Sequence, residues 1–253
     1  MADVKYGSLI LNRATDDDTY AVVYCSKEAE TVSIPAEIDG VAVTAIADNA
    51  FEECRMLLHV EFEHPSEELL MAGAVLTEIG EYAFSYCDNL VSIDIPYTVY
   101  SIGRGAFYNC RSLKLATLPA SAYVGSYAFC GCTELEKISP LACASEGVLS
   151  SCEKLSKIEL LPGISEICED AFEDCYALTE IVIPRNVRRI EQLAFRGCHS
   201  LKRVRFEDPE GWTVSEYKNG RDSIAIPAES LSDSAEAIKC IKITYSAYYW
   251  TKK

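Results

Sequence analysis

Apolar positions along this chain follow two spacings in a fixed order. The run Leu90-x-x-Ile93-x-Ile95-Pro96-x-x-Val99-x-x-Ile102-Gly103-x-x-Ala106-Phe107-x-x-Cys110 shows the order most plainly. Leu178, Ile181, Ile183, Pro184, Val187, Ile190, Ala194, Phe195 and Cys198 repeat it. Its Ile-x-Ile piece has the period-two alternation of a half-buried strand. Proline ends that strand because it has no N–H to donate to a ladder. The Val-x-x-Ile-Gly piece predicts a second short extended stretch. Ala-Phe-x-x-Cys fits one tight helical turn, with Phe and Cys facing the next layer.

The closing heptapeptide Phe-x-x-Cys-x-x-Leu, exact or nearly so, starts at Phe51, Phe84, Phe107, Phe129, Leu149, Phe172 and Phe195. The intervals are 33, 23, 22, 20, 23 and 23 residues. A period of about 20–29 residues with apolar side chains at fixed offsets signals a leucine-rich solenoid. One such layer cannot cover its own apolar set, so the unit is stable only when stacked. The fold class is therefore an α/β, β-rich leucine-rich-repeat solenoid of roughly 23-residue layers. It carries a parallel sheet on its concave face and short helical turns on its convex face.

These residues resemble the BspA-like, or Treponema-type, leucine-rich repeat family. Its unit reads approximately Leu-x-x-Ile-x-Ile-Pro-x-x-Val-x-x-Ile-Gly-x-x-Ala-Phe-x-x-Cys, and the likeness covers about residues 29–206. The tail Tyr245-x-x-Tyr248-Tyr249-Trp250, with Phe206-Glu207-Asp208-Pro209-Glu210-Gly211-Trp212 before it, looks like the carboxyl-terminal cap of bacterial members. The resemblance implies a bacterial protein with a role in adhesion to host or bacterial surface proteins. Two copies depart from the pattern. The fourth has Val124 without a clear Val-x-x-Ile pair, and the fifth has Val148-Leu149 in place of Ala-Phe. A shortened, imperfect layer is expected between residues 136 and 150.

An open stack needs its ends covered. Residues 1–28 read as a hairpin cap, with Leu9-Ile10-Leu11 and Tyr20-Ala21-Val22-Val23-Tyr24 flanking the polar run Thr15 to Thr19. Residues 29–206 are the repeats, interrupted by an insertion at 64–73 that carries Leu69-Leu70-Met71. Residues 207–253 form the second cap. Within it, Ile224 to Pro227 suits an edge strand. A helix over 232–250, capped by Ser232 or Ser234, would carry Ala235, Ile238, Ile241, Tyr245 and Tyr248 on one face. The alternation Ile241, Ile243, Tyr245 permits a strand there instead.

At 253 residues and 49% hydrophobic content the chain can bury one continuous core. No run approaches the 18 or so apolar residues of a membrane span. Read from Met1, the chain lacks a secretion signal and is expected in the cytoplasm; a leader ahead of Met1 would place it outside or on the cell surface. A net charge of −16 argues against nucleic acid as a partner. The charge is uneven. Residues 1–80 carry sixteen acids and four Lys or Arg, whereas Arg185, Arg188, Arg189, Arg196, Lys202, Arg203 and Arg205 crowd the last repeats.

Seven of the twelve cysteines, Cys54, Cys87, Cys110, Cys132, Cys152, Cys175 and Cys198, hold one repeat position. That reads as a small buried side chain with a weak S–H donor rather than a disulfide framework. Any reactive thiol belongs to Cys25, Cys130, Cys143, Cys168 or Cys240. No complete metal-ligand set appears, and no cofactor is implied. Three histidines, His59, His64 and His199, and the lone Gly103-Arg104-Gly105 give no catalytic motif, so the chain is not expected to be an enzyme.

Outward strand positions between core residues are free to vary without disturbing the layers. They nominate Glu61, Asp94, Thr117, Lys137, Lys157, Glu159, Glu180, Val182, Arg203 and Arg205 as the binding surface for another protein, with a monomer as the default state. The alternative is a structural or polysaccharide-binding module using the many tyrosines, Tyr82, Tyr86, Tyr97, Tyr100, Tyr108, Tyr123, Tyr127 and Tyr176 among them. A hydrolase would require a cleft with converging carboxylates or histidines.

Overall fold

A computed structural model describes residues 3–13, 18–244 and 246–252. The chain winds into stacked layers whose corresponding pieces pair in parallel, forming three ladders. The Ile-x-Ile pieces form the first. Thr31–Ile34 pairs with His59–Phe62, Ser92–Asp94 with Leu115–Thr117 and then Lys137–Ile138, and Glu180–Ile183 with Arg203–Phe206. The Val-x-x-Ile pieces form the second: Val41–Ile46, Glu78–Ile79, Ser101–Ile102 and Tyr123–Val124 in one sheet, Glu166–Ile167 and Arg189–Ile190 in another.

The third ladder is where the expectation of a helical turn fails. Ala-Phe-x-x-Cys is built from turns, because the residues before Ala and before Cys take positive φ. They are Asn49 and Glu53, Tyr82 and Tyr86, Gly105 and Asn109, and their equivalents through Leu193 and Gly197. Alternation of left- and right-handed backbone cannot continue as a helix. It turns alternate N–H groups outward along the stack instead. Asn49, Phe51 and Glu53 donate to the carbonyls of Glu81, Ala83 and Ser85, and Tyr82, Phe84 and Tyr86 to those of Arg104, Ala106 and Tyr108. At Gly105 the left-handed conformation coincides with a close approach: an added Cβ would stand 2.4 Å from the Tyr82 ring.

Inside, the repeat-locked phenylalanines stack. Ring centroids are 4.4 Å apart from Phe51 to Phe84, 5.2 Å to Phe107 and 5.0 Å to Phe129; Leu149 interrupts the column, which resumes from Phe172 to Phe195 at 5.4 Å. All seven ladder cysteines are buried and free. Five of the sulfurs donate to the Phe carbonyl one layer back, from Cys87 to Phe51 at 3.3 Å and from Cys110 to Phe84 at 3.1 Å through Cys198 to Phe172, while Cys175 donates to Leu149 and Cys54 to Cys25. The repeat position thus needs a small side chain that also donates weakly. Burial raises the pKa of Cys110, Cys132, Cys152, Cys175 and Cys198.

At the amino end Val4–Tyr6, Leu9–Arg13 and Tyr20–Cys25 make an antiparallel sheet whose last strand pairs in parallel with Val41–Ile46. The run expected at the hairpin tip lies in part, residues 15–17, outside the described residues. At the carboxyl end the helix expected over 232–250 is cut short. Ala228–Ser232 and Ser234–Lys239 are brief helices, and Cys240–Thr244 is one wider helical turn. Asp233, not a serine, caps the second helix by accepting from the N–H groups of Ala235 and Glu236. Tyr249–Lys252 is a strand pinned between Trp212–Ser215 and Arg189–Ile190. Trp250 is buried beside Phe206 and Trp212, and the nearly buried Lys252 ammonium meets Asp208 at 2.5 Å. Helical periodicity here competes with a two-sided strand pairing that only the finished stack provides. Tyr245 lies outside the described residues. Ile224–Ala225 forms the expected edge strand beside Trp212–Ser215.

Candidate functional site

The first ladder presents its outward side chains as two rows. Pairing register puts Asp94 beside Thr117 and Val182 beside Arg205, with Leu115 beside Lys137 and Lys157 beside Glu180 beside Arg203 in the second row. Glu61, Asp94, Thr117, Lys137, Lys157, Glu159, Val182, Arg203 and Arg205 are all exposed. Glu180 is the exception, half-buried between two cations.

The two ends of this face differ. Toward the carboxyl end its charges are paired across layers. Lys157 stands 3.1 Å from Glu180, which also pairs with Arg203, and within its own layer Arg205 lies 3.7 Å from Glu207. The Lys157 hydrogen bond, with Arg203 adding to it, holds the Glu180 carboxyl below the usual glutamate range. On the second ladder Arg189 meets Glu166 at 2.9 Å and Glu191 at 3.6 Å, and on the turn ladder Arg196 pairs with Glu173. Three cations of the basic cluster seen in the sequence, Arg189, Arg196 and Arg203, thus form ion pairs spaced by one repeat.

Toward the amino end the face opens into a groove of about 570 Å³. It crosses the ends of three strands. Ile95 and Leu118 are buried in its floor, Pro65, Pro96 and Pro119 follow the strands, and Tyr97 stands 73% exposed. Glu61, Asp94 and Thr117 of the nominated residues line it. Its border is completed by His64 and Pro65, where the insertion leaves the sheet. The insertion itself folds as the helix Glu67–Ala72, capped by Ser66 and ended by a left-handed Gly73, with Met71 90% exposed.

A second cleft, of about 720 Å³, marks the imperfect layer. There Tyr123–Val124, paired with Ser101–Ile102 on one side, has no full strand on the other, and the Val124 N–H donates to the Cys143 sulfur at 3.2 Å. Glu166, Cys168 and Glu191 bring ligand-type atoms within 4.8 Å of one another. Sequence spacing concealed this group, because Cys168 and Glu191 meet only by stacking at one repeat position. Carboxylates do converge here, but Arg189 contacts both, and Lys218 lies 2.7 Å from Glu191. The cluster is an internally neutralised network. Burial first, with Glu166 and Glu191 adding, pushes the Cys168 thiol up to about 11.

The tyrosines divide likewise. Tyr82, Tyr86 and Tyr108 pack edge-to-face with centroids 5.6–6.5 Å apart, and Tyr127 lies under Arg104 and donates to Glu146 at 2.7 Å. Tyr97, Tyr100 and Tyr123 remain exposed.

A family model described as the BspA type leucine rich repeat region matches in 6 copies, over residues 44–145 and 143–214. The chain belongs to that family. Among solved structures, a leucine rich cell surface protein from Faecalibacterium prausnitzii A2-165 superposes with a TM-score of 0.71 at 26% identity, covering 92% of this chain and 63% of that one. This BspA-type chain thus spans less than two thirds of that protein's length. The T. pallidum leucine rich repeat protein gives 0.49 at 21% identity, over 79% of this chain and 91% of that chain. None of the curated proteins matches this chain. The BspA-type assignment makes it a repeat scaffold of a kind that is generally non-enzymatic. Among the described residues no helix is long and apolar enough to cross a membrane.

Proposed function

We propose that this chain is a non-catalytic, protein-binding module of a bacterial cell surface, and that it engages its partner on the Ile-x-Ile sheet face. The observation that carries the reading is the double row of outward side chains, nearly all exposed, from Glu61 to Arg205, which stands apart from the buried core that holds the layers together. A rigid array of this kind can make many modest contacts at little ordering cost. The surface location draws on the F. prausnitzii cell surface protein, which shares the fold. Photo-crosslinking tests the site. Adducts with a partner protein are expected from probes at Asp94, Thr117 and Val182, and not from probes at Tyr108 or Tyr86 on the turn face. Adducts confined to the turn face would sink the proposal.

A second reading, a saccharide-binding surface, draws on Tyr97, Tyr100 and Tyr123, exposed on neighbouring layers. Glycan-array signal lost on Tyr100→Ala and Tyr123→Ala would support it; a blank array would remove it.

A further inference from the structure

We infer that the amino-terminal groove is a docking site for an extended, lysine- or arginine-bearing segment of another protein. The inference rests on the reading of the sheet face as the binding surface, and adds where on that face and to what chemistry. Glu61, Glu63 and Asp94 line the groove, and among the described residues no Lys or Arg does. Glu63 is held by neutral donors, the Tyr6 hydroxyl at 3.3 Å and the Ser33 hydroxyl at 3.1 Å, so its charge is not cancelled.

Glu61 and Asp94 occupy the same repeat position on adjacent layers. Like charges on neighbouring strands repel. At the other end of the same face that repulsion is avoided by alternating Lys157, Glu180 and Arg203. Here no Lys or Arg among the described residues does so, which leaves the neutralising charge to a ligand. The charged groups of the groove are acceptors, and Pro65, Pro96 and Pro119 add no N–H; its side-chain donors are the His64 ring and the hydroxyls of Tyr97, Thr98 and Thr117. An acceptor-rich slot selects a donor-rich guest, and Lys and Arg carry donors only.

The remaining walls suit the stems of those side chains. Ile95, Leu118 and the three prolines offer apolar contact to methylenes, and Tyr97 offers an exposed ring face to a cation. The volume, about 570 Å³, suits one or two such side chains with backbone between them rather than a folded domain.

The test uses the full chain and two labelled ten-residue peptides, one alternating Lys and Arg with Gly and Pro, the other with Glu and Asp in the charged places. Fluorescence anisotropy should show binding of the basic peptide alone, weakening as salt rises from about 50 to 300 mM. Glu61→Gln with Asp94→Asn should reduce affinity about tenfold or more at low salt, and Tyr97→Ala should reduce it further. Glu28→Gln with Glu30→Gln removes the same charge from exposed positions away from the groove and should change affinity less than about twofold. An equal loss in both double variants, retention in the first, or no binding of the basic peptide would overturn the inference. Equally tight binding of free spermine, also abolished by Glu61→Gln with Asp94→Asn, would overturn the peptide assignment. If the peptide fails while crosslinks persist at Val182, the sheet face stands as the binding surface and only the groove is lost. If both fail, the broader reading goes too.

Discussion

The stack consists of two blocks that solve the same packing problem with different surfaces. From Phe51 to Phe129 four rings stack without a break, the second strand ladder is continuous, and the outward row carries carboxylates that no Lys or Arg among the described residues pairs with. From Phe172 onward the rings resume, the ladders restart, and the outward charges pair from layer to layer. Between them Leu141, Ala144 and Lys157 hold single bridges in place of strands. The difference teaches that the repeat fixes the inside of each layer while leaving charge outside free. One block uses that freedom for internal ion pairs, and the other leaves its carboxylates Glu61 and Asp94 without an ion pair among the described residues.

The largest effect should come from Phe107→Ala. The ring is fully buried between two others, and such a truncation costs about 3–5 kcal/mol. Urea unfolding followed by far-UV dichroism measures it, and a loss no larger than that of a surface change would mean the column does not carry the first block.

The seam gives a sharper test. Leu149→Phe restores the family residue in a layer already closed around leucine, and overpacking there should cost about 1–3 kcal/mol. A rise in stability would instead show that the column is underfilled at that layer.

Thiol labelling should separate ladder from seam. Without denaturant, Cys130, Cys143 and Cys168 should react, being the part-exposed cysteines, whereas Cys54, Cys87, Cys110, Cys132, Cys152, Cys175 and Cys198 should wait for guanidinium. Raised thiol pKa values at Cys130 and Cys168 make even the accessible set slow at neutral pH. Fast modification of the ladder set would contradict the packing.

Smallest are the effects on the outward row, where the two blocks should differ in sign. Glu180→Gln leaves Lys157 and Arg203 facing each other without their carboxylate and should lower the thermal midpoint slightly. Glu61→Gln with Asp94→Asn removes a repulsion and should leave the midpoint unchanged or slightly higher. The pH dependence of the second block follows from the depressed Glu180 pKa. Its contribution is complete above the unfolded glutamate value, about 4.3. It disappears as pH falls through the lower folded value. A Glu180→Gln midpoint that tracks the parent's across that range would show the pair contributes nothing.

Read as a string, the chain determined its layers. Phe, Cys, Leu and Ile recur at offsets that only a stacked turn can bury together, and a misplaced residue would face water in every layer. The alternation also marks which strand positions face outward, Glu61, Asp94 and Thr117 among them. The tertiary structure alone decided three matters. Left-handed backbone at Asn49, Glu53 and their equivalents replaced the expected helical turn, because bonds to the next layer outweigh bonds within one. Tyr249–Lys252 became a strand, because Arg189–Ile190 and Trp212–Ser215 flank it only after the stack has formed. The partners of Arg203, Arg189 and Arg196 emerged one repeat back, since charges some 23 residues apart in sequence become neighbours at the roughly 5 Å spacing of adjacent strands. Periodicity reports what each layer hides; the distance between layers settles which exposed charges meet and which remain for something else to bind.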